Sequence, residues 1–75
     1  MAYGVRAAIV LHWLQRGPAT PDKLQRLLEA DGVFPKPMSS AGVAMALERL
    51  VRAGRATRLG GGVYGARLPA WLVAR

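Results

Sequence analysis

Three stretches of this 75-residue chain repeat apolar residues at helical spacing, and glycine or proline separates each from the next. The first, residues 3–16, is apolar on more than one side. Successive helical residues turn through about 100°, so Val5, Ile9 and Trp13 share one arc while Ala7, Val10, Leu11 and Leu14 spread over the other. Such a helix buries two faces. Gly17-Pro18 ends it, because glycine accepts the left-handed conformation that often follows a helix and proline cannot continue one. The second stretch, residues 21–30, carries a single stripe of Leu24, Leu27 and Leu28. Thr20-Pro21-Asp22 opens it with a side-chain cap, a residue pre-set for the first turn, and a carboxylate at the positive end of the dipole. Asp31-Gly32 closes it. The third, residues 40–53, begins behind Ser39 or Ser40 as cap and stops at Gly54. Its buried stripe is Val43, Ala46, Leu47, Leu50 and Val51. The opposite arc carries Ala41, Met45, Glu48 and Arg52, with Arg49 at its border.

After Gly54 the helical period is lost. Residues 55–59 (RATRL) and 63–67 (VYGAR) are short β-capable runs around Gly60-Gly61-Gly62, which predicts a hairpin with left-handed backbone in its loop. Residues 33–38 (VFPKPM) form a connector whose two prolines favour extended backbone. It is longer than the 3–4-residue turn of a minimal helix-turn-helix. The last residues, 68–75 (LPAWLVAR), are an apolar tail, read equally well as a strand or a helical turn. The prediction is one domain over residues 1–75, mainly α with a small β-hairpin: helices at about 3–16, 21–30 and 40–53, hairpin at 55–67, tail at 68–75.

Charge changes the picture more than composition does. Eleven Lys and Arg oppose four Asp and Glu, giving a net charge of +7, and nine of the eleven are arginine. That balance makes a polyanion the partner to consider first. Arginine sharpens the point, since its planar guanidinium matches phosphate oxygens bidentately where lysine acts as a point charge. The plainer alternative is charge for solubility alone. With no cysteine there are no disulfides or thiolate metal sites, which agrees with a reducing compartment. The longest uncharged apolar run, residues 7–11, is far short of the ~18–20 residues of a membrane span. Arg6 interrupts any signal-peptide reading, so a cytoplasmic protein without a membrane contact is expected.

Material for catalysis is sparse. His12 is the only histidine and lies beside an apolar arc, which suits packing or surface duty. Asp22, Glu29, Asp31 and Glu48 do not cluster as a carboxylate pair or a ligand set. The triple glycine lacks the Lys-Ser/Thr of a phosphate-binding loop and opens no helix. No enzyme, metal or cofactor is expected.

The phrases GPATPDKLQRLL, ALERLVRAG and RATRLGGGVYGAR, in that order, resemble the winged helix-turn-helix family of small bacterial and phage regulators. The likeness spans about residues 5–67. Its most specific part is L-x-x-L-x-x-A-G leading into a basic strand and a G-x-Y closing strand. The resemblance implies a recognition helix with Ser39, Ser40 and Met45 on its surface, and a wing carrying Arg55, Arg58 and Arg67. It gives Tyr64 the place of an aromatic packed back on the helices. Arg49 and Arg52, at the basic end of the third helix, would hold phosphates while the start of that helix meets base edges. Two features depart from the pattern: the long connector, and a recognition face without Asn, Gln or an early Arg to read bases bidentately. Ser39, Ser40 and Ala41 offer hydroxyl and thymine-methyl contacts, so readout would lean on DNA shape.

Within the third helix, Arg52 is placed to pair with Glu48, whereas Arg55, Arg58 and Arg67 have no acid nearby in sequence. Five phosphate contacts would give a log–log salt slope of roughly −4 to −5. The second apolar face of the first helix predicts a homodimer through Val10, Leu11 and Leu14 with Trp71 and Leu72 of the tail. The expected function is a small double-stranded-DNA-binding regulator or repressor of phage or mobile-element type. The alternative is a winged-helix protein-interaction module, such as a phage-encoded inhibitor docking on a host nucleic-acid machine.

Overall fold

A computed structural model describes residues 4–32 and 38–67. Three helices, α1 (Val5–Leu14), α2 (Pro21–Asp31) and α3 (Ser40–Arg52), precede an antiparallel hairpin of β1 (Ala56–Gly60) and β2 (Val63–Ala66). This is the mainly helical, winged-helix layout expected from the sequence. The connector at 33–37 and the tail at 68–75 lie outside the described residues, as do Trp71 and Leu72 of the expected dimer contact.

Local chemistry sets most of the boundaries. Thr20 Oγ1 accepts the Lys23 N–H at 3.2 Å and starts α2. Ser39 Oγ accepts the Gly42 N–H at 3.0 Å and starts α3, so Ser39 rather than Ser40 is the cap. Gly32, at φ 68°, supplies the left-handed residue after α2. Helix α1 is shorter than expected and ends differently. Arg16 N–H donates to Trp13 O and Gly17 N–H to Leu14 O, each at 3.1 Å, a tightened 3₁₀-type turn. Gly17 is close to extended, at φ 159°, and does not form the expected left-handed stop.

Helices α1 and α2 both pack on α3 and touch each other only lightly. Val10, Leu14, Leu24, Leu28, Val43, Leu47 and Leu50 are fully enclosed. Met38, read from the sequence as connector, is buried with them. This packing corrects the assignment of three α1 residues to a dimer contact. Val10, Leu11 and Leu14 belong to the domain's own core and have no surface left for a second copy. The arc of α1 that remains outside is Val5, exposed, with Ile9 and Trp13 half-buried.

In the hairpin, Ala56 faces Ala66, Thr57 faces Gly65, and Arg58 faces Tyr64. The register then slips, so that Gly60 pairs with Val63 and Leu59 is the extra residue of a bulge. Gly61 and Gly62, at φ 62° and 78°, make the two-residue turn, a conformation that costs a residue with a Cβ about 1 kcal/mol or more at each position. One pairing has no counterpart in the sequence reading. Ala19 N–H donates to Tyr64 O at 2.9 Å and Tyr64 N–H to Ala19 O at 2.8 Å. The segment before α2 is thereby bridged to β2, fixing the hairpin against the helices.

Candidate nucleic-acid interface

The outer face of α3 is a ridge of Ala41, Met45, Arg49 and Arg52, all exposed. It follows from the helical period: these positions lie opposite the buried Val43, Leu47 and Leu50. Glu48 lies on one flank of the ridge, half-buried, and there the hairpin docks. Arg58 donates to the Glu48 carboxylate from both Nε, at 3.1 Å, and Nη2, and Tyr64 donates its hydroxyl at 2.6 Å. Arg58 and Tyr64 are cross-strand partners, so one carboxylate holds both strands of the hairpin to α3. The fork of hydrogen bonds from Arg58, then the one from Tyr64, holds the Glu48 carboxyl below its ordinary pKa. Conversely, the Glu48 carboxylate raises the pKa of the Tyr64 phenol, chiefly through that same hydrogen bond.

This latch overturns two expectations. Glu48 pairs across the fold with Arg58, ten residues on, and not with Arg52 along the helix. Arg58 is therefore an ion-paired arginine with a single nitrogen, Nη1, unused by Glu48, and not a free cation on the wing. The local i,i+4 pair is worth only about 0.3–0.5 kcal/mol, and a bidentate fork held by a second donor outcompetes it.

The wing arginines also do not form one surface. Side chains alternate along a strand, so Arg58, in line with the buried Ala56, faces α3. Arg67 continues the alternation of Gly65 and lines a separate apolar groove with Gln15, Pro18, Thr57 and Leu59, on the other face of the hairpin. There Leu59 lies over Gly65, so close that a Cβ on residue 65 would sit 3.0 Å from Leu59 Cδ1. Arg55 is half-buried at the joint between α3 and β1. Its N–H donates to Leu50 O and its carbonyl accepts from Arg67 N–H, each at 2.8 Å. Its Nε is enclosed without a hydrogen-bond partner among the described residues. Of the residues singled out in the sequence, Met45, Arg49 and Arg52 share the ridge and Ser39 is exposed at its start. Ser40 is partly covered, and Ser39's acceptor lone pair is used by the cap, leaving its O–H to donate.

Charge is sorted by element. Three of the four acids, Asp22, Glu29 and Asp31, lie on α2. Arg6, Arg16, Arg49, Arg52, Arg55, Arg58 and Arg67 occupy α1, α3, the hairpin and their joints, where Glu48 is the single acid. Arg16 is stacked over Trp13 at 4.2 Å and is thereby held on the α1 side. Arg6, notable in the sequence only for interrupting an apolar stretch, borders the ridge from the start of α1, beside Met45 and Arg49. Among the described residues no three potential metal ligands cluster, and no helix is long and apolar enough to cross a membrane.

Comparison with protein-family models, with characterised proteins and with solved structures finds no match to this chain. The fold and the placement of its charges therefore carry the functional reading.

Proposed function

We propose that this domain binds double-stranded DNA through the α3 ridge, as a small cytoplasmic transcriptional regulator of phage or mobile-element type. The observation that supports it is the sorting of charge: the acids gather on α2, while α3 exposes Arg49 and Arg52 beside a small, weakly polar start. In this reading Arg49 and Arg52 hold phosphates, the Ser39 hydroxyl donates to the backbone, and Ala41 and Met45 pack on thymine methyl groups. Base-specific donors are few, so discrimination rests mainly on groove shape. The Glu48 latch sets the angle between wing and ridge.

The latch also lowers the number of cations available to phosphate. Arg58 is neutralised and Arg67 faces away, leaving about two contacts per domain and a log–log salt slope of about −2, shallower than five free arginines would give. Titration of mixed-sequence duplex DNA tests this. Affinity should fall by about 15-fold as salt rises from about 50 to 200 mM. Absence of binding at low salt would overturn the proposal.

A further inference from the structure

Duplex binding gives Met45 a partner but leaves the rest of the groove it lines without a role. Val5 and Met45, 75% and 63% exposed, are two of the three large apolar side chains left open to water among the described residues. Both line the same groove, about 300 Å³, between the start of α1 and α3. Its floor is Ala7, Met38 and Ala46, all buried, and its rims are Arg6 and Arg49, both exposed. No acid lines it. A phosphodiester offers nothing to an apolar wall, whereas covering such side chains is favourable by about 25 cal/mol per Å².

We infer that this groove docks a segment of a partner protein in which one bulky apolar side chain is flanked by aspartate or glutamate. The volume lies at the lower end for ligand pockets, which run from about 300 to 1,000 Å³, so it admits one or two large side chains and not a whole helix face. Met38 and Met45, unbranched thioethers, adapt to differently shaped occupants. The two guanidinium forks match carboxylates on either side. Helix α1 has no side-chain cap and no acid in its first turn, so a carboxylate lying there also meets the positive end of the helix dipole. A second copy of this chain is the wrong occupant. Its acids Asp22, Glu29 and Asp31 lie on α2, where Leu24 and Leu28 are buried and Leu27 is half-buried. That helix therefore has no exposed bulky apolar side chain to insert between Arg6 and Arg49. Met45 and Arg49 belong to both the groove and the ridge. Such a partner therefore excludes duplex DNA and provides a route to its release.

The test is selection from a displayed library of random peptides about a dozen residues long, on the full folded chain. Enriched sequences should place Phe, Leu or Trp beside two or more acids. The synthesised best binder should weaken roughly tenfold with Val5→Ser and again with Arg6→Glu, and be unchanged by Arg26→Glu on α2. Both groove changes are at exposed sites, and an acid in the first turn favours the helix; circular dichroism confirms that the variants fold. Enrichment of nothing, winners without acids, or a winner that binds Val5→Ser and Arg6→Glu as tightly as the parent would each overturn the inference. No DNA enters this readout, so its outcome is independent of the duplex titration.

Discussion

Helices α2 and α3 are built alike and used differently. Each starts behind a hydroxyl cap, each buries leucines against the same core, and each carries both signs of charge. On α2 the three acids Asp22, Glu29 and Asp31 outnumber the cations Lys23 and Arg26, and among the described residues the acids reach no other element. Asp22 sits in the first turn, and Glu29 accepts a hydrogen bond from Gln25, four residues back, at 2.9 Å. On α3 the single acid is settled at long range, by Arg58 and Tyr64 of the hairpin, while Arg49 and Arg52 are exposed. A helix whose acids outnumber its cations and contact no other element offers little to a polyanion. One whose acid reaches into the next element aligns that element and leaves its own cations for a partner.

The largest expected effect breaks what the two helices share. Leu47→Ala, at the centre of the α3 stripe, should cost about 2–5 kcal/mol in denaturant unfolding. Leu27→Ala on the rim of α2, only partly buried, should cost clearly less.

That contrast also marks what was legible in the sequence. The periods of the helices, their caps at Thr20 and Ser39, and the glycine turn are short-range features, and each was readable from neighbours in the chain. The stripe of Val43, Ala46, Leu47 and Leu50 was equally plain. The candidate site was half legible. Met45, Arg49 and Arg52 follow from the helical wheel, but nothing within a few residues announces that Glu48 meets partners 10 and 16 positions away. Strand alternation could have separated Arg58 from Arg67, since they are nine residues apart across a turn and a bulge. The register slip at Leu59 hid that parity. Helix α1 is apolar nearly all round, and apolarity does not say which arc faces the core, so Val10, Leu11 and Leu14 read equally as a dimer face or as core.

The caps come next in size. Thr20→Ala and Ser39→Ala should each cost about 1 kcal/mol. Only Ser39→Ala should also weaken duplex binding, because its hydroxyl stands at the start of the ridge. Equal effects on binding would erase the functional difference between the helices.

Removing the latch sharpens the comparison further. Glu48→Gln frees the Arg58 guanidinium, so the log–log salt slope for duplex binding should steepen by about one, whereas Glu29→Gln on α2 should leave it unchanged. The smallest effect is on pH dependence. The folded pKa of Glu48 is depressed below its ordinary value of 4.5, so the latch contributes fully above that pH and is lost as pH falls through the folded value. The pKa of Tyr64 is raised above its ordinary value of 10.0, so its contribution is complete below that pH and is lost as pH rises through the folded value. Hairpin protection from amide exchange, corrected for the intrinsic exchange rate at each pH, should therefore be greatest between these limits and decline at both ends, and Glu48→Gln should remove the acid limb.

The most direct measurement compares charge removal on the two helices in one assay. Salt-dependent duplex affinity would be measured for Arg49→Gln/Arg52→Gln on α3 and for Lys23→Gln/Arg26→Gln on α2. The prediction is a nearly flat salt dependence with the α3 pair and a parental slope with the α2 pair. Equal loss from both pairs, or a parental slope without Arg49 and Arg52, would contradict an α3 ridge that grips the duplex.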